Sequence, residues 1–262
     1  MTTTDIITSQ DSAVILSEIA SNAGAIMLAN GAEIYRVEDT VERIIRSKEN
    51  IKDVDVYSAA NVIIISFSYK DEIHTNIRRV KARTHNLYFI NKVNTFSRNF
   101  VRGDYTLQEA WKELQHIKND PGQPMWMQVA GSAISAGAFL LLLGGHFPDV
   151  FIAFFVGFVS YIISNIFQEA KFGFFLVNFI AGLVVSIITL CFKQFIPTIE
   201  VDKIVIASMM AFLPGITLTN AMRDLMSGDV TSGLTGATTA ILISTALALG
   251  VAMPITIVTY LM

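Results

Sequence analysis

Apolar side chains recur at intervals along the first 120 residues and run almost unbroken through the rest. Ser12 to Ala29 carries them at helical spacing, and Asn30-Gly31 reads as the C-terminal stop. GAEIYRVEDTVERIIRS resumes a helix. Its residues Ile34, Val37, Val41, Ile44 and Ile45 stand three and four apart, so that stripe packs inward. Near Asp53 the period falls to two. DVDVYS alternates, NVIIISFSY is rich in β-branched and aromatic residues, and EIHTNIRRV follows a Lys70-Asp71 turn as a third strand. HNLYFINKVNTFSRNFVRG and TLQEAWKELQHIKN return to helix, separated by Gly103-Asp104. Thr106 with Glu109 three residues on predicts a capping box. A helix pair, a small sheet and a second helix pair predict one α+β domain over residues 1–120, within the usual domain size.

NDPGQP, Asn119 to Pro124, breaks the pattern, because helices rarely run through such a stretch. Beyond it come five apolar segments: Met125–Gly144, Asp149–Phe167, Phe172–Phe192, Ile204–Leu218 and Leu234–Leu261. Most reach the length of about 18 residues that can cross a hydrocarbon core. Helices of a soluble core would show a polar face, and these mostly do not. Residues 125–262 therefore predict an all-α bundle of about five transmembrane helices in the lipid bilayer. The fourth is short, and Pro214-Gly215 breaks it.

Charge sharpens the division. Fifteen of 19 Lys and Arg residues and 16 of 22 Asp and Glu residues lie before Pro124. The opening MTTTDIITSQDS is polar and lacks the pattern of a signal peptide, so the first domain is expected in the cytoplasm. Loop charges agree only weakly, since Lys193 and Lys203 fall on the outer side in this arrangement. Cys191 is the sole cysteine, and His74, His85, His116 and His146 are scattered. No Cys/His cluster suggests a metal, and no cofactor is expected. Neither a phosphate-binding glycine loop nor a catalytic set of known spacing occurs, so an enzyme is not expected and no catalytic residue is assigned. The near-balanced first half shows no basic stripe for nucleic acid.

Polar residues inside the apolar half carry the functional signal, because such groups usually face a bundle interior or a water-filled path. In LPGITLTNAMRDLMSGD, Leu213 to Asp229, helical spacing puts Thr217, Asn220 and Asp224 on one narrow face. Arg223 lies about 100° away. Two readings stand: a broken helix lining a cavity, as transporters use, or a span that ends at Pro214 before a loop. Asn165, Gln168 and Glu169 close the second segment, and Asn178 is alone in the third. Ser232, Thr235, Gly236 and Thr239 form a small stripe, which either packs closely against a helix or lines a path. In the first domain, the charged run Glu33, Arg36, Glu38, Asp39, Glu42, Arg43 is either a solvated helix face or a contact with the membrane part.

GAEIYRVEDTVERI, LYFINKVNTFSRNFVRGDYTLQEAWKELQHI and LPGITLTNAMRDLMSGDVTSGL, in this order, resemble the threonine/serine exporter family. The resemblance covers nearly the whole chain and implies a cytoplasmic domain followed by about five spans. It also implies proton-driven export of threonine and serine or of succinate-like dicarboxylates. With the sequence ending at Met262, it implies the larger chain of a split pair, working with a second, smaller membrane subunit. The matching positions are Pro214, Gly215, Asn220, Arg223, Asp224, Gly228 and Asp229, with Gly31, Glu33, Arg36, Val37 and Glu38. On this reading Arg223 holds a substrate carboxylate. Thr217, Asn220 and Asn178 bind the rest of a small polar solute. Asp224, Asp229 and Glu169 are candidates for proton coupling, and Asp229 has a helix cap as its alternative role. An Arg223–Asp224 structural pair is a further alternative.

The rival is a non-transporting, membrane-anchored protein whose first domain senses a ligand or docks a partner. A membrane-embedded enzyme would need a convergent pair such as Asp224 and Glu169. The many small residues fit an assembly without choosing between a heteromer and a homo-oligomer.

Overall fold

The computed structural model describes residues 6–81 and 84–261. They fold into two compact units. The first comprises residues 6–81, 84–122 and 216–237, and the second residues 123–215 with 238–261.

In the first unit, α1 (Gln10–Ala29) starts at Ser9, whose side chain accepts from the Ser12 N–H, and ends at Asn30. α2 (Ile34–Arg46) follows a four-residue connection that includes Gly31. β1 (Lys52–Ala59), β2 (Val62–Tyr69) and β3 (Glu72–Arg79) form an antiparallel meander in the order β1-β2-β3. Strict alternation in β2 sends Ile63, Ile65, Phe67 and Tyr69 into the core. α3 (Leu87–Arg102) ends at Gly103, which takes the left-handed conformation at φ 86°. α4 (Leu107–Lys118) opens with Thr106 and Glu109, and both bonds of the capping box are formed. α1 packs against α2, α3, α4 and the sheet, and the stripe Val37, Val41, Ile44, Ile45 of α2 is fully buried.

The second unit holds α5 (Met125–Leu142), α6 (Asp149–Glu169), α7 (Phe174–Phe195) and α8 (Val201–Met209). α8 touches α5, α6 and α7 around a core that includes Leu140, Val156, Val185 and Ile204. α9 (Gly215–Met226) lies in the first unit from Ile216 onward, and α10 (Val230–Leu261) begins there and continues into the second. Within the second unit, α7 and α10 approach backbone to backbone. A methyl group on Gly182 would strike the Leu247 carbonyl, and one on Gly250 would strike that of Phe179.

Five described helices are long and apolar enough to cross a membrane: α1, α5, α6, α7 and α10. The protein is a mostly helical membrane protein. Membership of that set differs from the sequence expectation in two ways. The expected fourth span, Ile204–Leu218, is not one helix: α8 stops at Met209, turns occupy residues 210–214, and α9 starts at Gly215. Nine residues of α8 rise only about 14 Å, half of a hydrocarbon core. α1 is apolar enough to qualify, yet 67% of its most apolar window is buried by protein, against 17% to 33% for the other four. Those four leave large side chains such as Leu142, Phe151, Phe158, Ile241 and Leu249 exposed, a surface suited to lipid rather than water.

Candidate functional site

The turn between α1 and α2 sets the floor of the site. Gly31 has φ +83°, and an added Cβ would stand 2.7 Å from the His85 ring and 2.9 Å from the Thr84 carbonyl. Only glycine fits both the backbone and the space. Two residues later Glu33 precedes the first residue of α2, with its side chain turned inward rather than capping its own helix.

α9 lies on this turn. Pro214 cannot donate a backbone N–H, which suits the position just before a new helix. From α9, Asn220 Nδ2 donates to the Gly31 carbonyl at 2.9 Å, and Thr217 Oγ1 lies 3.2 Å from His85 Nε2. The Ile34 N–H, at the start of α2, points to Asp224 Oδ1 at 3.5 Å. Asp224 is 4% exposed, so this carboxylate sits buried against a helix N-terminus, where the backbone dipole favours a negative charge. Arg223 Nη1 donates to Glu33 Oε1, while Arg36 Nη1 donates to Glu33 Oε2 at 3.0 Å. Two guanidinium groups thus share one carboxylate. The Glu33 side chain is 8% exposed and that of Arg223 56% exposed. The face Thr217, Asn220, Asp224 and its neighbour Arg223 therefore converge, on Gly31, Glu33, Ile34 and His85 of the same unit.

Downstream, Ser227 Oγ donates to the Arg223 carbonyl at 2.7 Å and closes α9. Asp229 Oδ1 accepts from the Ser232 N–H at 3.1 Å, which makes it a cap for α10. Asp229 Oδ2 is buried and has no hydrogen-bond partner among the described residues. Glu38 of α2 accepts the Ser58 N–H at 2.7 Å. Its carboxyl is held above the usual carboxylate range, chiefly by burial and further by the nearby charges of Asp229 and Glu42, with the Ser58 bond opposing. The charged run of α2 divides accordingly. Arg43–Asp39 and Arg46–Glu42 are exposed pairs one turn apart, whereas Glu33 pairs with Arg36 and with Arg223 of α9, and Glu38 faces the sheet and Asp229. The small stripe of α10 packs closely against α9: Ser232 is buried, and a methyl group on Gly236 would stand 3.0 Å from Ala221 Cβ.

The remaining predicted residues sit in the second unit with local bonds. Asn178 Nδ2 donates to the Phe174 carbonyl of its own helix at 2.7 Å. Glu169 Oε1 accepts from Asn165 Nδ2 at 3.0 Å. Sequence reasoning passed over His85, read as one of four scattered histidines, and the serines of the second unit. Ser132 donates to the Gly157 carbonyl and Ser208 to that of Ala153. Ser160, Ser164 and Ser186 have buried hydroxyls with no hydrogen-bond partner among the described residues. A spacing of four between Ser160 and Ser164 was the available signal.

A family model described as "Putative threonine/serine exporter" matches residues 18–258. The chain belongs to that family, a transporter family rather than an enzyme family. "Probable succinate transporter subunit YjjP" of Escherichia coli (strain K12) is 23% identical over 253 residues, covering 92% of this chain and 94% of that one. The protein of the same name from Klebsiella aerogenes is 24% identical over 239 residues, covering 88% and 89%. No solved structure matches.

Proposed function

We propose that this member of the threonine/serine exporter family is the larger subunit of a two-chain secondary exporter. Its solutes are small and carboxylate-bearing, either threonine and serine or succinate-like dicarboxylates, and the proton gradient drives their exit. The first unit then lies on the cytoplasmic side of the inner membrane. The word "subunit" in the names of the two relatives supports a second membrane chain, with a homo-oligomer as the alternative assembly.

The observation that carries this reading is the sharing of Glu33 between Arg36 and Arg223. A solute carboxylate can take Arg223 in a forked pair while Glu33 keeps Arg36, so no buried charge is left alone. Asn220 and Thr217 lie one and two turns before Arg223 and offer groups for amino or hydroxyl substituents. Asp224 and the buried Oδ2 of Asp229 are the candidate proton carriers in this unit, and Asn178 and Glu169 are retained as candidates in the second. The orphan hydroxyls of Ser160, Ser164 and Ser186 suit a polar route through the second unit's interior.

One observation favours the sensing alternative. A cleft of about 400 Å³ in the first unit is lined by Arg79, Lys81 and Lys118 with Asn22 and Asn30, a setting for an anionic ligand. Efflux separates the two readings. Proteoliposomes loaded with labelled serine, threonine or succinate are followed under an imposed pH gradient, with this chain alone and with its partner. Transport predicts gradient-dependent efflux that Arg223→Ala and Asp224→Asn abolish. Sensing predicts no efflux in either setting, with ligand binding lost in Lys81→Ala.

A further inference from the structure

We propose that His146, Asp149 and Glu200 of the second unit form a site for a divalent transition-metal ion, Zn²⁺ by donor type. His146 stands in the turn after α5, Asp149 opens α6, and Glu200 immediately precedes α8. One donor atom from each lies within 4.8 Å of the other two. The inference stands independently of the transport reading.

A second observation points to a cation. The Oε2 atom of Glu200 is itself shielded from solvent, on a side chain 29% exposed, and accepts no hydrogen bond among the described residues. His146 Nδ1 stands 3.5 Å away, without the geometry of a hydrogen bond. An unmatched carboxylate oxygen in such a place is costly unless something positive meets it. The surrounding bonds hold that oxygen in position. Lys203 Nζ pairs with the other oxygen, Oε1, at 2.9 Å and also donates to the Gly144 carbonyl at 2.9 Å. Asp149 is 5% exposed, and its Oδ2 accepts the Glu200 N–H at 3.3 Å. Lys203 offsets one of the two carboxylate charges and leaves one for the ion.

One imidazole nitrogen with two carboxylate oxygens is a donor set that zinc accepts, with water in the fourth position. Bonds of about 2.0–2.2 Å put tetrahedral donors roughly 3.4 Å apart. A set already within 4.8 Å reaches that by a rotamer adjustment of His146, whose side chain is 69% exposed and free to move. The bound ion would tie the α5–α6 turn to the segment that leads into α8.

Full-length protein in detergent, stripped with a chelator and desalted, is titrated with Co²⁺ as a coloured stand-in for Zn²⁺. The site predicts uptake of one Co²⁺ per chain with visible bands of a four- or five-coordinate ion, bleached by Zn²⁺. His146→Ala and Glu200→Gln should each weaken binding at least ~10-fold, since loss of an outer-shell partner alone costs about 10–100-fold. His146 is exposed, so its replacement keeps the test valid if Glu200→Gln fails to fold. Absence of stoichiometric uptake by the wild type, or uptake unchanged in His146→Ala, overturns the proposal.

Discussion

α1 and α10 are both long and apolar, yet they meet opposite surroundings. α1 spends its apolar residues on a protein core: Leu16, Ile19, Ala20, Ala23 and Met27 have no exposed surface. α10 keeps Leu234, Ile241, Leu249, Met253 and Ile257 exposed, and its close contacts run through small residues such as Gly236 and Gly250. Length and hydropathy qualify both as candidate spans. What separates them is whether other elements of the chain supply a matching apolar surface. A three-stranded sheet and three helices do so for α1, while backbone-to-backbone approach at glycine leaves the rest of α10 to lipid.

The contrast is sharpest in truncation. Leu16→Ala, at a fully buried position, should cost about 2–5 kcal/mol by thermal unfolding in detergent. Leu142→Ala, 78% exposed on α5, should stay within about 0.5 kcal/mol. Equal losses at the two positions would erase the distinction. Next in size is Gly250→Val, which forces side-chain atoms into the Phe179 backbone and should cost about 1–3 kcal/mol or more. Gly215→Val, with open space around the added Cβ, is its control for crowding.

Arg223→Ala comes third. It removes a charged hydrogen bond to buried Glu33, worth about 1–2 kcal/mol once the exposure of the guanidinium is discounted. Its functional loss should exceed its stability loss. Glu38→Gln is the smallest effect and depends on pH. Folding raises the pKa of this carboxyl, so the folded state binds its proton more readily. The wild type therefore loses stability as pH rises through the interval between the ordinary carboxylate range and the raised value. Glu38→Gln lacks that loss, so it should unfold at a slightly higher temperature than wild type above the interval and show no such gain below it. A gain confined to acid would reverse the sign and refute the assignment.

Local signals were legible wherever a few neighbouring residues decide the structure. The Thr106–Glu109 capping box, the helix break at Gly103, the strand character of β2 and the inward stripe of α2 all follow from short-range chemistry. The break before Gly215 was also readable, because proline removes a backbone donor. Its consequence was not. Hydropathy made Ile204–Leu218 a candidate span, while the partners that pull α9 into the first unit lie some 190 positions away, at Gly31, Glu33 and Ile34. The grouping of His146, Asp149 and Glu200 was hidden for the same reason, since Glu200 comes from a different connection. Asp229 was open between a proton carrier and a cap. The structure gives it the cap through Oδ1, while Oδ2 is buried with no hydrogen-bond partner among the described residues.

The most direct test of the account asks whether Glu33 and Arg223 act as one unit in transport. Efflux driven by a pH gradient is measured for Glu33→Gln, Arg223→Ala and the double variant, each reconstituted with the partner chain and matched for folded protein. Residues that work through one shared interaction lose function non-additively. The account predicts a loss of at least ~10-fold in each single variant and no further loss in the double. Wild-type efflux in either single variant, or losses that multiply in the double, would contradict it.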